Sequence, residues 1–229
     1  MTRRVLIVGA RDGSLGQAIA DTLGKRSDFE VHTAGQSGDE METVDVRSPA
    51  SVVAVMDKVR PHSIISTVGV NLGAPIGETG YWHSMRHSWD VNVEGPMRLL
   101  DTWIKGTFGY EKGFNQDQTF VAVSSNSAQI ARRSSSAYCS SKAALSMALR
   151  CAARELGGAP LVYGYEFGLL ANTPMTVETE KRFGPSQSRM VGAKDGLDKW
   201  EAASAVVANL VAPWQGLNGV MLRLDAGEQ

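Results

Sequence analysis

Tyr138-Cys139-Ser140-Ser141-Lys142 carries the sharpest chemical signal in the chain. On a helix, residues four apart share a face, so the phenol of Tyr138 and the ammonium of Lys142 are neighbours. A free tyrosine, with a pKa of about 10, is a poor acid or base near neutrality. A cation beside it favours the phenolate and opens proton transfer, as would the positive charge of an oxidised nicotinamide. That spacing alone is common in helices. Ser124-Ser125 adds weight, because it closes a strand-like run thirteen residues before Tyr138. It therefore falls at the carboxyl edge, where open parallel sheets bind ligands.

A second constellation lies near the N-terminus. Val8-Gly9-Ala10-Arg11-Asp12-Gly13-Ser14-Leu15-Gly16 follows an apolar run and opens a helical pattern. Glycines let the backbone turn sharply and approach a pyrophosphate, and the helix start supplies free N–H groups and a positive dipole end. Tight turns also want glycine, so it is the place in the first strand–helix unit that points to a dinucleotide. At the end of the second strand an acid holds the ribose of NAD and repels a 2′-phosphate. Here Thr33-Ala34-Gly35-Gln36-Ser37 has no acid, and Arg11 is available to a phosphate, so NADP is expected ahead of NAD. Asp12 beside Arg11 counts the other way. Asp45-Val46 follows a short third strand, and Asp45 either meets an adenine amino group or caps the helix Ser51–Val59.

The elements that must position these residues alternate. Strands are read at Val5–Val8, Glu30–Ala34, Ser63–Val68, Phe120–Ser124, Leu161–Phe167 and Val220–Leu224. Helices are read over Leu15–Leu23, Ser51–Val59, Val91–Phe108, Ala137–Leu156 and Glu201–Val211. Most strands are continuously apolar, the mark of a parallel sheet covered on both faces. Right-handed crossovers then give a single-domain, doubly wound α/β (Rossmann) fold. Residues 174–200 are polar, carry Pro174, Gly184, Pro185, Gly192 and Gly196, and have weak periodicity. They read as a substrate lid.

Composition excludes several classes. With 229 residues the chain is long enough for one full core, and 43% apolar with 21% charged residues is globular composition. Twenty-three basic against 24 acidic residues leave a net charge of −1, which argues against a nucleic-acid partner bound through a basic field. No apolar run approaches the roughly 18 residues of a membrane span. Met1-Thr2-Arg3-Arg4 leads directly into a strand rather than a signal sequence. Cys139 and Cys151 on one helix sit about 18 Å apart, beyond a disulfide's reach. A cytoplasmic location is the expectation.

Together these pieces resemble the short-chain dehydrogenase/reductase family, and the resemblance runs from Val5 to Gly227. In family order stand the glycine turn Gly9–Gly16, Asp45-Val46, Ser66-Thr67-Val68-Gly69, Asn92, Ser125, Tyr138 with Lys142, and Leu224-Asp225-Ala226-Gly227. The resemblance implies that Tyr138 is the general acid for a carbonyl oxygen and the base in reverse. It implies that Lys142 lowers the Tyr138 pKa and binds the nicotinamide ribose, that Ser125 polarises the carbonyl, and that Asn92 holds a relay water. It also places Gly9, Gly13, Ser14, Leu15, Gly16, Gly69, Gly168 and Thr173 beside the cofactor. The chain departs from the family in three places. One extra residue lies between Gly9 and Gly16. Ser66-Thr67-Val68-Gly69 replaces Asn-Asn-Ala-Gly, and Phe167-Gly168 replaces Pro-Gly. Glu166 beside the latter is either a carboxylate near the site or a loop charge.

Weaker features complete the reading. His83 and His87 share a helix face within the aromatic run Tyr81–Trp89, but no further ligand stands at motif spacing, so no metal is expected. Met175, Phe183 and Met190 are candidates to line an apolar pocket in the lid. The helices Val91–Phe108 and Ala137–Leu156 resemble the family's subunit-packing helices, implying a homodimer or homotetramer. The expected activity is hydride transfer between a nicotinamide cofactor and a small carbonyl compound or secondary alcohol. The alternative is a non-catalytic dinucleotide-binding regulator or scaffold. An enoyl reductase is disfavoured, because that branch usually spaces its Tyr and Lys by six residues.

Overall fold

The computed structural model describes residues 2–36, 42–108, 117–183 and 196–225. Seven strands form one sheet: β1 (Arg3–Val8), β2 (Phe29–Gly35), β3 (Glu42–Thr43), β4 (Ser63–Ser66), β5 (Thr119–Ser125), β6 (Leu161–Phe167) and β7 (Met221–Leu224). Every pairing is parallel and the order is β3-β2-β1-β4-β5-β6-β7. All carboxyl ends therefore emerge on one edge, with the order reversing between β1 and β4, the place where such sheets bind nucleotides.

Alternation along each strand divides the core in two. Val5 and Ile7 of β1 join one cluster with α1 (Leu15–Leu23) and the last helix, α7 (Lys199–Val211). Leu6 and Val8 join a second cluster with α2 (Pro49–Val59), α4 (Gly95–Trp103) and α5 (Ser136–Glu155). Both faces of β1 are buried, which is why its sequence is apolar without a period of two. Trp103 is fully buried, and its indole N–H donates to the Pro61 carbonyl at 2.9 Å.

Two expectations about elements are corrected. The stretch Val91–Phe108 is not one regular helix. The chain is helical from α3 (Tyr81–Trp89) onward, but π turns occupy Asp90–Glu94 and Ile104–Phe108, on either side of α4. Pro96 supplies a reason for the first turn, since it has no N–H for the Asn92 carbonyl four residues back. The lid region is also more ordered than its periodicity predicts. Pro174–Phe183 is a helix, α6, opened by proline and capped by Thr173, whose Oγ1 accepts from the Thr176 N–H. Met190, the side chain of Phe183 and the tail Ala226-Gly227 lie outside what is described. Among the described residues no helix is long and apolar enough to cross a membrane.

Candidate active site

The first turn is built around one threonine. Gly9 has φ +96° and Gly13 φ +73°, both in the region that favours glycine. Thr67, in the turn after β4, donates its hydroxyl toward the Val8 and Gly9 carbonyls, each 3.1 Å away. A Cβ on Gly9 would stand 2.8 Å from Thr67 Oγ1, and one on Gly16 2.7 Å from it and 2.8 Å from the Gly9 carbonyl. Both positions therefore need glycine, because Thr67 and the backbone of the first turn pack directly against them. Ser14 caps α1, its Oγ accepting from the Gln17 N–H at 3.2 Å. Of the two candidates for the middle of the lengthened turn, Gly13 makes the bend and Ser14 starts the helix. Leu15 is buried beneath them.

The catalytic candidates converge on the same cleft, a cavity of about 510 Å³ whose walls include Ser125, Tyr138 and Lys142. Ser125 ends β5, and its Oγ accepts from the Ser127 N–H at 3.1 Å, donates to Asn126 Oδ1 at 3.5 Å and faces the Tyr138 phenol, whose pKa it pulls down. Lys142 follows one turn along α5, with Nζ 5.9 Å from the Tyr138 ring centre and donating to the Val123 carbonyl at 3.0 Å. Gly69 gives Lys142 room, since a Cβ there would lie 3.2 Å from Nζ. Asn92 is fully buried in the first π turn. Its Oδ1 accepts from the Val70 N–H at 2.8 Å, and its Nδ2 donates to the Val70 carbonyl and to Ser141 Oγ. The amide therefore locks the turn after β4 against α5, a structural role beyond the water site expected of this position.

One electrostatic expectation is reversed. Burial pushes the Tyr138 phenol above its ordinary value, outweighing the Ser125 hydrogen bond and the Arg132 charge, which pull it down. Lys142 is only 3% exposed, and burial holds its ammonium down to about 8. The Lys142 ammonium is directed at the Val123 carbonyl. Arg132, which sequence reasoning missed, is the protein cation that favours the phenolate. It donates to Ser127 Oγ at 2.9 Å and to Asn126 Oδ1 at 3.0 Å.

The other end of the cleft lies beyond β2 and β3. Gln36, Val46 and Arg47 line it. Asp45 takes two hydrogen bonds from the Arg47 guanidinium, at 3.0 and 2.8 Å, and this pair holds its carboxyl down to about 2. Asp45 does not cap α2, because the side chain of Ser48 does so. Arg11 also lines the cleft but pairs with Glu178 of α6 at 3.1 Å, tying the first turn to the lid. Among the described residues no group of three His, Cys, Asp or Glu is arranged for a metal.

A family model described as enoyl-(acyl carrier protein) reductase matches residues 10–161. The chain belongs to the short-chain dehydrogenase/reductase family. At family level it is an NAD(P)-dependent oxidoreductase. Solved structures share the fold at low identity. A short-chain dehydrogenase/reductase from Mycobacterium ulcerans is 19% identical with a TM-score of 0.83, covering 99% of this chain and 89% of its own. Sorbitol-6-phosphate 2-dehydrogenase from Erwinia amylovora is 17% identical with a TM-score of 0.84, covering 98% and 99%. An actinorhodin polyketide ketoreductase variant with NADPH is 19% identical with a TM-score of 0.83, covering 97% and 95%. No curated protein matches the chain in sequence.

The places where this short-chain dehydrogenase/reductase departs from its family have local explanations. Thr67 fills the space above the glycines and explains the altered turn after β4. Phe167, in place of proline, is buried and stacks on Tyr165 with ring centres 5.2 Å apart, so it serves the core under α7. Gly168 keeps the chain close to the cleft, its N–H donating to the Leu224 carbonyl at 2.9 Å. Thr173 is buried at the cleft wall, with Met175 beyond it. Glu166 is no loop charge: it lies on β6 and is 1% exposed.

Proposed function

We propose that this chain reduces a carbonyl group on a small molecule, or oxidises the corresponding secondary alcohol, with NADP as its preferred cofactor. The observation that carries the reading is that Ser125, the Tyr138 phenol and, one helical turn along, Lys142 all line one wall of the cleft. Gly9, Ser14 and Leu15 line the cleft at the N-terminus of α1, a place that suits a pyrophosphate. Gln36 and Arg47 at the far end, with no acid closing β2 itself, support a 2′-phosphate. Gly168 and Thr173, which line the cleft, support a nicotinamide held on their side of it.

When bound, the nucleotide supplies the hydride. Tyr138 gives its phenolic proton to the carbonyl oxygen as negative charge develops there, and Ser125 donates a hydrogen bond to the same oxygen. The raised pKa of Tyr138 keeps it protonated at neutral pH, which suits reduction. Lys142, beside Gly69, is placed to hold a ribose hydroxyl and replenish the proton. Asn92, whose amide braces the turn after β4 near Gly69, is the residue to which the family resemblance gives the relay water. Exposed Trp89 on α3 and Met147 on α5 support packing against a second copy.

The test is oxidation of NADPH across a panel of aldehydes, ketones and 3-oxoacyl thioesters. Tyr138→Phe is expected to abolish turnover while NADPH binding persists. Unchanged turnover in that variant would sink the assignment of Tyr138. The description of the matching family model makes an enoyl thioester a necessary member of the panel. The four-residue Tyr138–Lys142 spacing predicts that it is not reduced.

A further inference from the structure

Glu166 is a buried carboxyl that the chemistry above leaves unused. It sits on β6 opposite Ser124 of β5, on the sheet face covered by α5. Its side chain reaches in two directions. Oε1 accepts from Ser146 Oγ of α5 at 2.9 Å. Ser146 Oγ lies 3.0 Å from Ser124 Oγ, and Ser124 donates to the carbonyl of Lys142 at 3.1 Å. Oε2 accepts from the side-chain amide of Gln129. Gln129 closes the short 3-10 turn after Ser125, its backbone N–H donating to the Asn126 carbonyl at 2.9 Å.

One arm thus ends on the helix carrying Tyr138 and Lys142, and the other on the loop carrying Ser125. Ser125 and the Tyr138 phenol meet in one cleft wall from these two pieces, so their relative geometry depends on how the pieces are set against each other. Both partners that Glu166 has among the described residues are neutral, and burying a carboxyl against neutral groups is costly compared with an apolar side chain. A core residue chosen for packing alone would not carry this group.

We propose that Glu166 is a positioning residue that fixes the Ser125 loop in register with the Tyr138–Lys142 helix. The inference rests on the carbonyl-reductase reading of those three residues. Glutamine retains both arms, since its Nε2 can donate to Ser146 while its Oε1 accepts from Gln129. Ser146 and Ser124 can reverse or keep their hydroxyl direction to suit. Alanine cuts both arms.

The experiment compares wild type, Glu166→Ala, Glu166→Gln and Ser146→Ala in steady-state turnover, NADPH binding and amide hydrogen exchange. A misplacement near 1 Å between reacting groups lowers rate by about 100-fold, so Glu166→Ala is expected to lower kcat by about 10- to 100-fold. NADPH affinity should hold within about twofold, because the first turn is untouched, and Glu166→Gln should keep kcat within about threefold. Exchange should rise in Glu166→Ala over residues 126–129 and 136–146, and nowhere comparable elsewhere. Wild-type kcat in Glu166→Ala, or a loss in Glu166→Gln as deep as in Glu166→Ala, would overturn the proposal. If Glu166→Ala does not fold, Ser146→Ala cuts the helix arm alone. It should lower kcat, and wild-type kcat there overturns the proposal. If the wild-type enzyme reduces no carbonyl, the reading of the site fails first. The exchange comparison then decides on Glu166 alone, and unchanged exchange in the variant refutes it.

Discussion

Replacing Lys142 with methionine should make the protein more stable and inactive. The side chain is 3% exposed, and burial lowers its pKa from 10.5 to about 8. Each pKa unit corresponds to about 1.4 kcal/mol, so the buried ammonium destabilises the fold by about 3 kcal/mol when both states are protonated. That condition holds below pH 8. Between pH 8 and 10.5 the folded chain releases the proton while the unfolded chain keeps it, so wild-type stability rises with pH. Above 10.5 the penalty is gone. Methionine keeps the stem and removes the charge, but forfeits the hydrogen bond to the Val123 carbonyl, worth about 1 kcal/mol. Lys142→Met should therefore be about 2 kcal/mol more stable than wild type at pH 7, a rise in Tm of about 4–8 °C for a chain of this size. The advantage should shrink by about 1 kcal/mol at pH 9. Urea unfolding of both proteins at pH 7 and pH 9, at matched ionic strength and without nucleotide, measures the difference. A variant less stable at pH 7, or a gap that does not change with pH, would refute the reasoning.

Two further outcomes follow from the site. Arg132 pulls the Tyr138 pKa down, so Arg132→Gln should move the pH profile upward. Reduction, which needs the phenol, should persist to higher pH, and alcohol oxidation, which needs the phenolate, should slow at neutral pH. Arg132→Lys should keep most of the wild-type profile, against the background of Lys142, Cys139 and the His87 that lines the same cleft. Gly16→Ala places a Cβ 2.8 Å from both Ala10 Cα and the Gly9 carbonyl, which cannot yield as a side chain does. It should lower stability by about 1–3 kcal/mol and nucleotide affinity by about tenfold or more, read by calorimetry. Adding Thr67→Ala should not rescue it, because the backbone contacts remain.

The parts of this protein written locally were legible in its residues. The β-branched run Val5–Val8 and the aromatic-rich run Leu161–Phe167, each followed by glycine, announce buried parallel strands, and the Tyr138–Lys142 spacing holds because α5 is regular through it. Features that depend on what packs against what were not legible. Nothing in the run around Tyr138 shows that burial outweighs its neighbours, since the wall that buries it comes from distant segments. Glu166 read as either a carboxylate near the site or a loop charge, because its partners Gln129 and Ser146 are far away in sequence. The π turn had a local sign in Pro96, which removes an N–H at a definite place inside a helical pattern. Thr67 had none, because the space it fills is created by the first strand–helix turn.

The break in helical phase at Asp90–Glu94 has a consequence for how this scaffold can change. In an unbroken rod, rotating one end to present a different face would swing the other end with it. Here the wider coil between Trp89 and Gly95 uncouples the azimuths of the two stretches. Leu99, Leu100 and Trp103 stay seated in the interior whatever faces outward near Tyr81 and His87. The aromatic half can accordingly be redrawn by substitution to admit molecules of other shapes, while the half that anchors the sheet keeps its original orientation.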